Sequence, residues 1–290
     1  MPDKTTPFSA QVKNLLRQSG LKARKSLGQH FLVDEAVLNT IVEAAELSPE
    51  DTIIEVGPGL GILTIELARH AGKVIAVELD TRLASLLQRR LASLSNLRVI
   101  NADILKVIPS QLLGGKSKYK VVANLPYYIT SPVLRYFVEA STKPSLMVMM
   151  VQKEVGEAIV AGPGKMSLLA VSLQMYSRVR IIARVSACSF YPQPKVDSVI
   201  LRFDVLPEPA VKVDDTNGFF EVVKSGFSLP RKQLHNSLAH GLGMKPAELA
   251  PLLGKANIDP KRRAETLSLE EWAKLYKALE TAKVEMDENV

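Results

Sequence analysis

Short apolar runs alternate with amphipathic segments from about residue 51 to residue 152, and this alternation restricts the possible fold more than any other feature. The runs are DTIIEVG, KVIAVEL, LRVINAD, YKVVANLP and SLMVMMVQK. The segments between them, such as TRLASLLQRRLASL, carry apolar residues at helical spacing. Strands of nearly continuous Val, Ile and Leu between helices are typical of a parallel sheet that is covered on both faces. We therefore predict an open α/β domain, in which ligands bind at the carboxyl ends of the strands.

Two later segments, CSFYPQ and SVILRFDV, are candidates for the last strands and bring the predicted, mostly parallel sheet to seven. After LPEPA (206–210) the pattern changes to helical segments that are separated by turns rich in Gly or Pro. SLEE (268–271) has the spacing of a capping box, with Ser268 as the N-cap and Glu271 at the third helical position. The predicted organisation is a basic N-terminal arm at 1–25, an α/β domain at 26–206 and a small all-α domain at 207–290.

Composition excludes several classes of protein. The longest apolar runs, such as LMVMMV, are far shorter than the roughly 20 residues that a membrane span needs. The N-terminal segment has no apolar core of the kind found in secretory signals. The single Cys188 excludes an intrachain disulfide framework, and the four scattered His residues do not have the spacing of a zinc site. We expect a cytoplasmic protein without a membrane segment or a bound metal.

The charge of the chain favours a polyanionic partner. The net charge is +7 and the pI is near 9.3. The first 25 residues contain six Lys and Arg residues against one acidic residue, whereas residues 207–290 are close to neutral. This arm is either a solvated basic tail or a segment that contacts phosphates, and its charge alone does not decide between the two.

Polar or flexible residues follow three successive predicted strands. In EVGPGLGILT (55–64), Gly57, Gly59 and Gly61 allow a tight turn between a strand and a helix, with the spacing GxGxG rather than the dinucleotide spacing GxGxxG. Glu78 ends the second strand, where a carboxylate can accept hydrogen bonds from both hydroxyls of a ribose. Asp103 ends the third strand and can accept from the exocyclic amine of an adenine. A sugar acceptor and an adenine acceptor without a pyrophosphate loop favour an adenosine cofactor that lacks phosphates, and S-adenosylmethionine fits.

The fourth strand ends in NLPYY, where a methyl acceptor could sit. If the acceptor is the exocyclic amine of adenine, Asn124 and a main-chain carbonyl near Pro126 could accept its two hydrogens and localise its lone pair. Tyr127 could stack on the base, and Phe190 could cover the opposite face. The base would have to leave its stack to reach such a pocket. We assign no chemistry to Tyr128.

At this level of detail the chain resembles the small-subunit (16S) ribosomal RNA adenine N6,N6-dimethyltransferases, the kasugamycin-resistance family. Its motifs occur in the family's order and spacing: KSLGQHFL (25–32), EVGPGLGILT, VELD, NADIL, NLPYYITSPVL and FYPQPKVDSVILRF. The resemblance implies a Rossmann-like class I methyltransferase fold with a helical C-terminal domain. It also implies dimethylation at N6 of two adjacent adenosines in the 3′-terminal hairpin of that RNA, coupled to assembly of the small ribosomal subunit. The donor would be S-adenosylmethionine, the product S-adenosylhomocysteine, and the protein a monomer.

The family's motifs also imply roles for individual residues. GQHFL would wrap the cofactor, Gly57 and Gly59 would form the turn beneath it, and Asn124 would sit at the point of methyl transfer. The implied cofactor residues are Gln29, His30, Leu32, Gly57, Gly59, Glu78, Asp103, Ile104 and Asn124. Arg24, Lys25, Arg231 and Lys232 are the implied RNA contacts. The family tends to have a basic triplet after a Phe, whereas this chain has Pro230 at its first position, so Arg231 and Lys232 could equally be a solvated helix start.

Three other functions are considered. A large-subunit (23S) RNA adenine methyltransferase of the macrolide-resistance type would share the fold and a similar Asn-x-Pro-Tyr motif, although YYITSPVL and FYPQPKVDSV favour the small-subunit family. A ribosome-assembly or transcription factor could keep the fold for RNA binding and lose catalysis, but Glu78, Asp103 and Asn124 are all present. The glycine spacing disfavours an NAD-dependent dehydrogenase.

Overall fold

The structure is a computed structural model and describes residues 7–24, 27–115 and 118–287. The chain forms two compact units. The first comprises the chain up to Gly156 together with Arg178–Val205, and the second comprises Glu157–Ser177 together with the chain from Leu206 onward.

The first unit contains a seven-stranded sheet, which confirms the predicted fold class. Its strands lie side by side in the order β4, β3, β2, β5, β6, β9, β7. The neighbouring strands from β4 to β6 are parallel, and β9 is antiparallel to β6. The strands of the chain are β1 (Phe31–Leu32), β2 (Thr52–Val56), β3 (Lys73–Glu78), β4 (Leu97–Asn101), β5 (Lys120–Asn124), β6 (Leu146–Gln152), β7 (Ser177–Val185), β8 (Phe190–Tyr191) and β9 (Ser198–Val205).

One predicted strand of this sheet was wrong. CSFYPQ does not join the sheet, because its residues Phe190–Tyr191 form β8 and pair with β1 in a separate two-stranded ladder. The seventh strand is β7, which lies at one edge of the sheet. Its sequence, SRVRIIARV, places exposed Arg178, Arg180 and Arg184 at alternating positions. Charged residues are common on edge strands, and here they mask the apolar run that the prediction relied on.

Helices cover the sheet and begin where the sequence provides a cap. Asp34 and Asp80 accept hydrogen bonds from main-chain N–H groups at the starts of α2 and α4. The segment after NLPYY begins a helix at Thr130, with Pro132 in its first turn. The helices from the N-terminus to the division between the units are α1 (Phe8–Gln18), α2 (Glu35–Ala44), α3 (Ile62–His70), α4 (Thr81–Arg90), α5 (Pro109–Leu113), α6 (Thr130–Glu139) and α7 (Lys153–Ile159).

The basic N-terminal segment is not a plain solvated tail over its described part. Residues 8–18 form α1, in which Val12 and Leu16 are buried. These two side chains belong to a core cluster that also contains Phe31, Leu60 and Leu83. Burial of two apolar residues four positions apart fixes one face of α1 against the α/β unit and leaves its basic face outward.

The second unit is helical, as predicted for the C-terminal region. Its further helices are α8 (Leu168–Gln174), α9 (Thr216–Gly226), α10 (Leu234–Leu242), α11 (Pro246–Lys255) and α12 (Leu269–Asp287). The capping box at the start of α12 is confirmed, since Ser268 N donates to Glu271 Oε2 (2.8 Å) and Glu271 N donates to Ser268 Oγ (3.2 Å). Trp272 of α12 is fully buried.

Residues 157–177 group with this helical unit, whereas the predicted boundary placed them in the α/β domain. Main-chain N–H groups of Gly164 and Met166 donate to the carbonyl of Glu265, and α8 packs against α9. These contacts join segments that are about fifty to a hundred residues apart along the chain, so composition alone could not locate the division. Across the described residues, no helix has both the length and the apolarity that a membrane crossing requires.

Candidate active site

A cavity of ≈ 210 Å³ lies in the first unit, at the carboxyl ends of β2, β3 and β5. All residues that the sequence analysis assigned to the cofactor and to the reacting centre line it: Gln29, His30, Leu32, Gly57, Gly59, Glu78, Asp103, Ile104, Asn124, Pro126, Tyr127 and Phe190. The parallel sheet brings these separated motifs together because its strand ends meet at one edge. The role of each residue remains a prediction.

The glycine turn after β2 forms the floor of the cavity. Gly57 and Gly59 both have φ in the left-handed region, at 66° and 59°. A Cβ atom on Gly59 would lie 3.4 Å from the ring of Phe31, so a side chain there would be both strained and crowded. The turn therefore keeps its backbone open to a ligand.

Glu78 ends β3 and is buried. Its Oε2 accepts from the main-chain N–H of Gly59 (3.1 Å), and its Oε1 accepts from that of Asp80 (2.8 Å). Burial raises the pKa of Glu78, and these two hydrogen bonds oppose that rise. Each carboxylate oxygen has a further lone pair, so the group can also accept hydrogen bonds from ligand hydroxyls.

Asp103 follows β4 and serves as a helix cap as well as lining the cavity. Its Oδ1 accepts from the main-chain N–H of Leu105 (3.1 Å) at the start of the short 3₁₀ helix Ile104–Lys106. Ile104 beside it is buried and lines the same wall. The cap fixes the direction of the carboxylate and leaves acceptor capacity on Oδ2.

The GQHFL segment is held over the cavity by three attachments. Phe31 and Leu32 pair with Tyr191 and Phe190 in the β1–β8 ladder. Gln29 Nε2 donates to Asp80 Oδ2 (3.2 Å), and His30 Nδ1 lies 2.6 Å from the Pro192 carbonyl oxygen. These long-range contacts explain why a segment 20 to 24 residues before β2 reaches the ends of the strands.

Asp80 is a residue that the sequence analysis missed. Its buried carboxylate binds Gln29, caps α4 through the N–H of Arg82, and pairs with the guanidinium of Arg82 (3.0 Å). Burial alone would raise the pKa of Asp80, but the hydrogen bonds from Arg82 and Gln29 lower it to about 2. The signal was present in the sequence, because VELDT places an acid directly before a helix.

Asn124 ends β5, and the GQHFL segment orients its side chain. Its Nδ2 donates to the carbonyl of His30 (3.4 Å), which leaves Oδ1 as an acceptor for a ligand. The carbonyl of Pro126 already accepts from the N–H of Ile129 (3.1 Å) in a 3₁₀ turn. Of the two main-chain carbonyls next to Asn124 that could bind an amine, that of Leu125 is therefore the more available.

The aromatic residues of the cavity are more restrained than the sequence suggested. Tyr127 stacks with His30 at a centroid distance of 5.8 Å, and its hydroxyl lies 2.9 Å from Ser198 Oγ. Phe190 is only 3% exposed and belongs to the main core cluster. Tyr128 also lines the cavity and is 52% exposed. One face of Tyr127 is thus occupied, and Phe190 is a fixed wall.

Glu55 is a second cavity residue that the sequence analysis did not single out. It lies on β2 directly before the glycine turn, is 1% exposed, and its Oε2 has no hydrogen-bond partner among the described residues. Burial raises the pKa of Glu55 to about 8, and the negative charge of Glu78 adds to the rise. The site therefore contains a carboxyl group that is neutral at pH 7.

The predicted RNA contacts do not line the cavity. Arg24 lies 3.7 Å from Asp80 and forms an ion pair with it. Lys25 lies outside the residues that the structure describes. Arg231 and Lys232 are exposed on the turn before α10 in the second unit. In the described part of the chain, no group of three His, Cys, Asp or Glu residues is arranged to hold a metal ion.

Comparison with known proteins gives a family match over most of the chain. The sequence pattern of a family described as Ribosomal RNA adenine dimethylase matches residues 20–280. A protein of Dehalococcoides mccartyi (strain BAV1) named Ribosomal RNA small subunit methyltransferase A is 51% identical over 92% of this chain and 91% of its own. One with the same name from Moorella thermoacetica is 42% identical over 92% of this chain and 96% of its own.

Two solved structures resemble the whole fold. A dimethyladenosine transferase from Plasmodium falciparum superposes with a TM-score of 0.73 at 25% identity, covering 88% of this chain and 98% of that one. The 23S rRNA methyltransferase ErmE superposes with a TM-score of 0.69 at 29% identity, covering 86% of this chain and 99% of that one.

Proposed function

The chain belongs to the ribosomal RNA adenine dimethylase family, and from this premise we propose that it dimethylates N6 of two adjacent adenosines in the 3′-terminal hairpin of small-subunit (16S) ribosomal RNA. The observation that carries the proposal is the meeting of Glu78, Asp103 and Asn124 at three strand ends around one cavity. Glu78 would provide an acceptor for the ribose of the cofactor, Asp103 for its adenine amine, and Asn124 for the amine of the target adenosine.

The lining of the cavity fits S-adenosylmethionine. Glu78 would accept from the ribose hydroxyls, Asp103 from the adenine amine, and Ile104 would pack beside the ring, while Gln29, His30 and Leu32 would enclose the cofactor from the loop side. No Lys or Arg residue is among the described residues that line the cavity, so the site suits a ligand without phosphates. When bound, the cofactor supplies a methyl carbon activated by a positively charged sulfur, and S-adenosylhomocysteine is the product.

At the acceptor end, Asn124 Oδ1 and the carbonyl of Leu125 or Pro126 would accept the two hydrogens of the target amine. This favours a pyramidal nitrogen whose lone pair is localised and can form the new bond. Positive charge would develop on the nitrogen as the bond between sulfur and the methyl carbon breaks. These preoriented oxygens would stabilise it, and the nitrogen would then lose one proton to solvent without a strong base. Tyr127 would offer the target base the face that His30 does not cover, and Phe190 would close the far side.

The small-subunit RNA is favoured over the large-subunit RNA as substrate. Relatives named for the small subunit are 42–51% identical to this chain, compared with 29% for the 23S enzyme ErmE. The intact acceptor set argues against an assembly factor that has lost catalysis, although a role in small-subunit assembly is compatible with methylation. We propose a monomer that acts in the cytoplasm, where ribosomal subunits mature.

Replacement of Asn124 tests the proposal directly. Unmodified small subunits, large subunits and methyl donor are incubated with wild-type protein or with Asn124→Ala, and mass spectrometry locates dimethyladenosine. With the wild type we expect two adjacent modified adenosines in the small subunit. With Asn124→Ala we expect the rate of methyl transfer to fall by a factor of roughly 100 or more, which is typical when one preoriented hydrogen-bonding group is removed. Asn39→Ala, at an exposed position of α2 outside both the cavity and the surface formed by α1, controls for the substitution itself.

Either of two results would contradict the proposal. Modification of the large subunit alone would give the wrong substrate, and undiminished dimethyladenosine with Asn124→Ala would remove the proposed role of that residue. Cofactor affinity of the variant, measured by calorimetry, separates a defect in methyl transfer from a defect in cofactor binding.

A further inference from the structure

A second concave surface lies beside the cavity in the first unit. It has a volume of ≈ 590 Å³ and is formed by α1, the segment after it, and the end of β8. We call it the α1 groove; its lining residues are Lys13, Asn14, Leu16, Arg17, Gly20, Leu21, Lys22, Ala23, Tyr191 and Pro192. None of these residues is acidic, and the roles assigned to the cavity do not use any of them.

Three cations of the α1 groove are available to an anionic partner. Lys13, Arg17 and Lys22 are exposed, and among the described residues no carboxylate pairs with them. Arg17 is steadied by a hydrogen bond to Asn14 (2.9 Å). Arg24 differs from these three, because it is already paired with Asp80.

The cations are presented by a fixed element. Val12 and Leu16 hold α1 in a core cluster, so the helix does not have to fold when a partner binds. Lys13 and Arg17 are four residues apart and therefore lie on one face, about 6 Å apart along the axis. Two charges at this spacing suit neighbouring phosphates of one nucleic-acid strand.

An aromatic ring stands beside these charges. Tyr191 is 45% exposed, and the Lys13 ammonium lies 5.5 Å from the centroid of its ring. Exposed rings next to cations are typical of surfaces that bind unpaired bases and their phosphates. An acidic peptide would use the cations but would have little use for the ring.

The α1 groove adjoins the cavity at β8. Phe190 lines the cavity and the next residue, Tyr191, lines the groove. Successive residues of a strand point to opposite faces, so this two-residue strand divides the two surfaces. A strand that places one base against Phe190 would bring its neighbouring nucleotide to Tyr191.

We propose that the α1 groove binds the RNA strand next to the target adenosine, with Lys13, Arg17 and Lys22 on its phosphates and Tyr191 stacked on an unpaired base. The inference rests on the proposed function and extends it to the flanking nucleotides. For the described part of the basic N-terminal segment, it favours phosphate contact over a solvated tail.

The charge part is tested with Lys13→Ala/Arg17→Ala/Lys22→Ala and a matched control, Arg89→Ala/Arg98→Ala/Arg178→Ala, which removes three exposed cations elsewhere in the first unit. For the groove variant we expect KM for unmodified small subunits to rise at least roughly 10-fold, with kcat and cofactor affinity unchanged. The slope of log affinity against log salt should fall by about 2, because each lost phosphate contact removes roughly 0.7 on single-stranded RNA. The control should match the wild type.

The ring is tested with Tyr191→Ala and Tyr191→Phe on an RNA hairpin that carries 2-aminopurine beside the target adenosine. Stacking quenches this fluorophore, so Tyr191→Phe should keep the quenching that accompanies binding and Tyr191→Ala should lose it. Tyr191→Ala should also bind the hairpin roughly 10-fold more weakly than the wild type.

Unchanged KM and salt slope in the triple variant, with an active wild type, would overturn the inference and leave the proposed function intact. A wild type that binds the hairpin through the groove but methylates nothing would instead overturn the proposed function. Binding of a poly-glutamate peptide that depends on Lys13, Arg17 and Lys22, together with no RNA binding, would assign the groove to an acidic protein and overturn the inference.

Discussion

The cavity and the α1 groove adjoin each other but have opposite charge. Among the described residues, the carboxylates Glu78 and Asp103 line the cavity without Lys or Arg, whereas Lys13, Arg17 and Lys22 line the groove without Asp or Glu. Acidic walls suit a cationic, phosphate-free cofactor, and a basic surface suits a polyanion. On the proposed function, electrostatics would therefore separate a cationic cofactor from an anionic RNA across β8, which is one strand wide.

The largest expected effect is on cofactor binding in the cavity, at Glu78. Glu78→Ala should weaken binding of S-adenosylmethionine by roughly 100-fold, because two charge-assisted hydrogen bonds to the ribose are lost. Calorimetry at two salt concentrations measures it, and the loss should be nearly independent of salt. A thermal melt of Glu78→Ala shows whether the variant stays folded when the N–H groups of Gly59 and Asp80 lose their acceptor. Affinity within about twofold of the wild type in Glu78→Ala would show that the ribose lies elsewhere.

The next effect concerns the neutral acid of the cavity. Because the pKa of Glu55 is raised to about 8, the folded protein holds a proton that the unfolded chain releases near pH 4.5. Stability should therefore fall as pH rises from about 4.5 to about 8. Glu55→Gln should remove this dependence and be more stable than the wild type at pH 8, by an amount on the order of a few kcal/mol. Denaturant unfolding at several pH values measures it, with exposed Glu50→Gln as control, and parallel pH curves for wild type and Glu55→Gln would contradict it.

A smaller effect is expected at Asp80, whose carboxylate binds Gln29 of the GQHFL segment and pairs with Arg24 and Arg82. Its pKa of about 2 lies below the usual 3.8, so the stabilisation is present above about pH 4 and is lost as pH falls toward 2. Asp80→Asn should cost about 2 kcal/mol at neutral pH, with the difference disappearing in acid. Cofactor affinity should fall several-fold because Gln29 is less firmly held. If unfolding at pH 7 is unchanged, the ion pairs of Asp80 contribute nothing net.

The smallest effect is expected in the second unit. Arg231→Ala/Lys232→Ala should weaken small-subunit binding by about tenfold or less, with a modest decrease in salt slope and no change in cofactor affinity. Lys274→Ala/Lys277→Ala, which removes two exposed cations from α12, is the matched control. Equal affinities for the two variants would mean that Arg231 and Lys232 are only a solvated helix start.

The strand ends of the site could be predicted because the sheet is parallel. Apolar runs identify β2 to β6, and the polar residues after them converge at one edge whatever the details of packing. This is why Glu78, Asp103 and Asn124 line one cavity as expected.

The remaining features depend on contacts between distant parts of the chain. β7 was missed because its arginines interrupt the apolar pattern, and β8 was misplaced because its partner β1 lies about 160 residues earlier. The capping signal at Asp80 could have been found from the sequence. The burial of Glu55 could not, since it depends on how the first unit packs around the glycine turn.

His30 of the GQHFL segment contacts two residues proposed to bind the target base. Its carbonyl accepts a hydrogen bond from Asn124, and its ring stacks on Tyr127. The GQHFL segment, proposed to enclose the cofactor, is therefore also part of the wall that would receive the target base. Thermodynamic linkage then requires reciprocity, so that any free energy the cofactor contributes to seating this loop is returned equally when the base binds. On the proposed function, a cofactor that stabilises the seated GQHFL segment would also favour binding of the target base, and its departure would weaken that binding to the same extent.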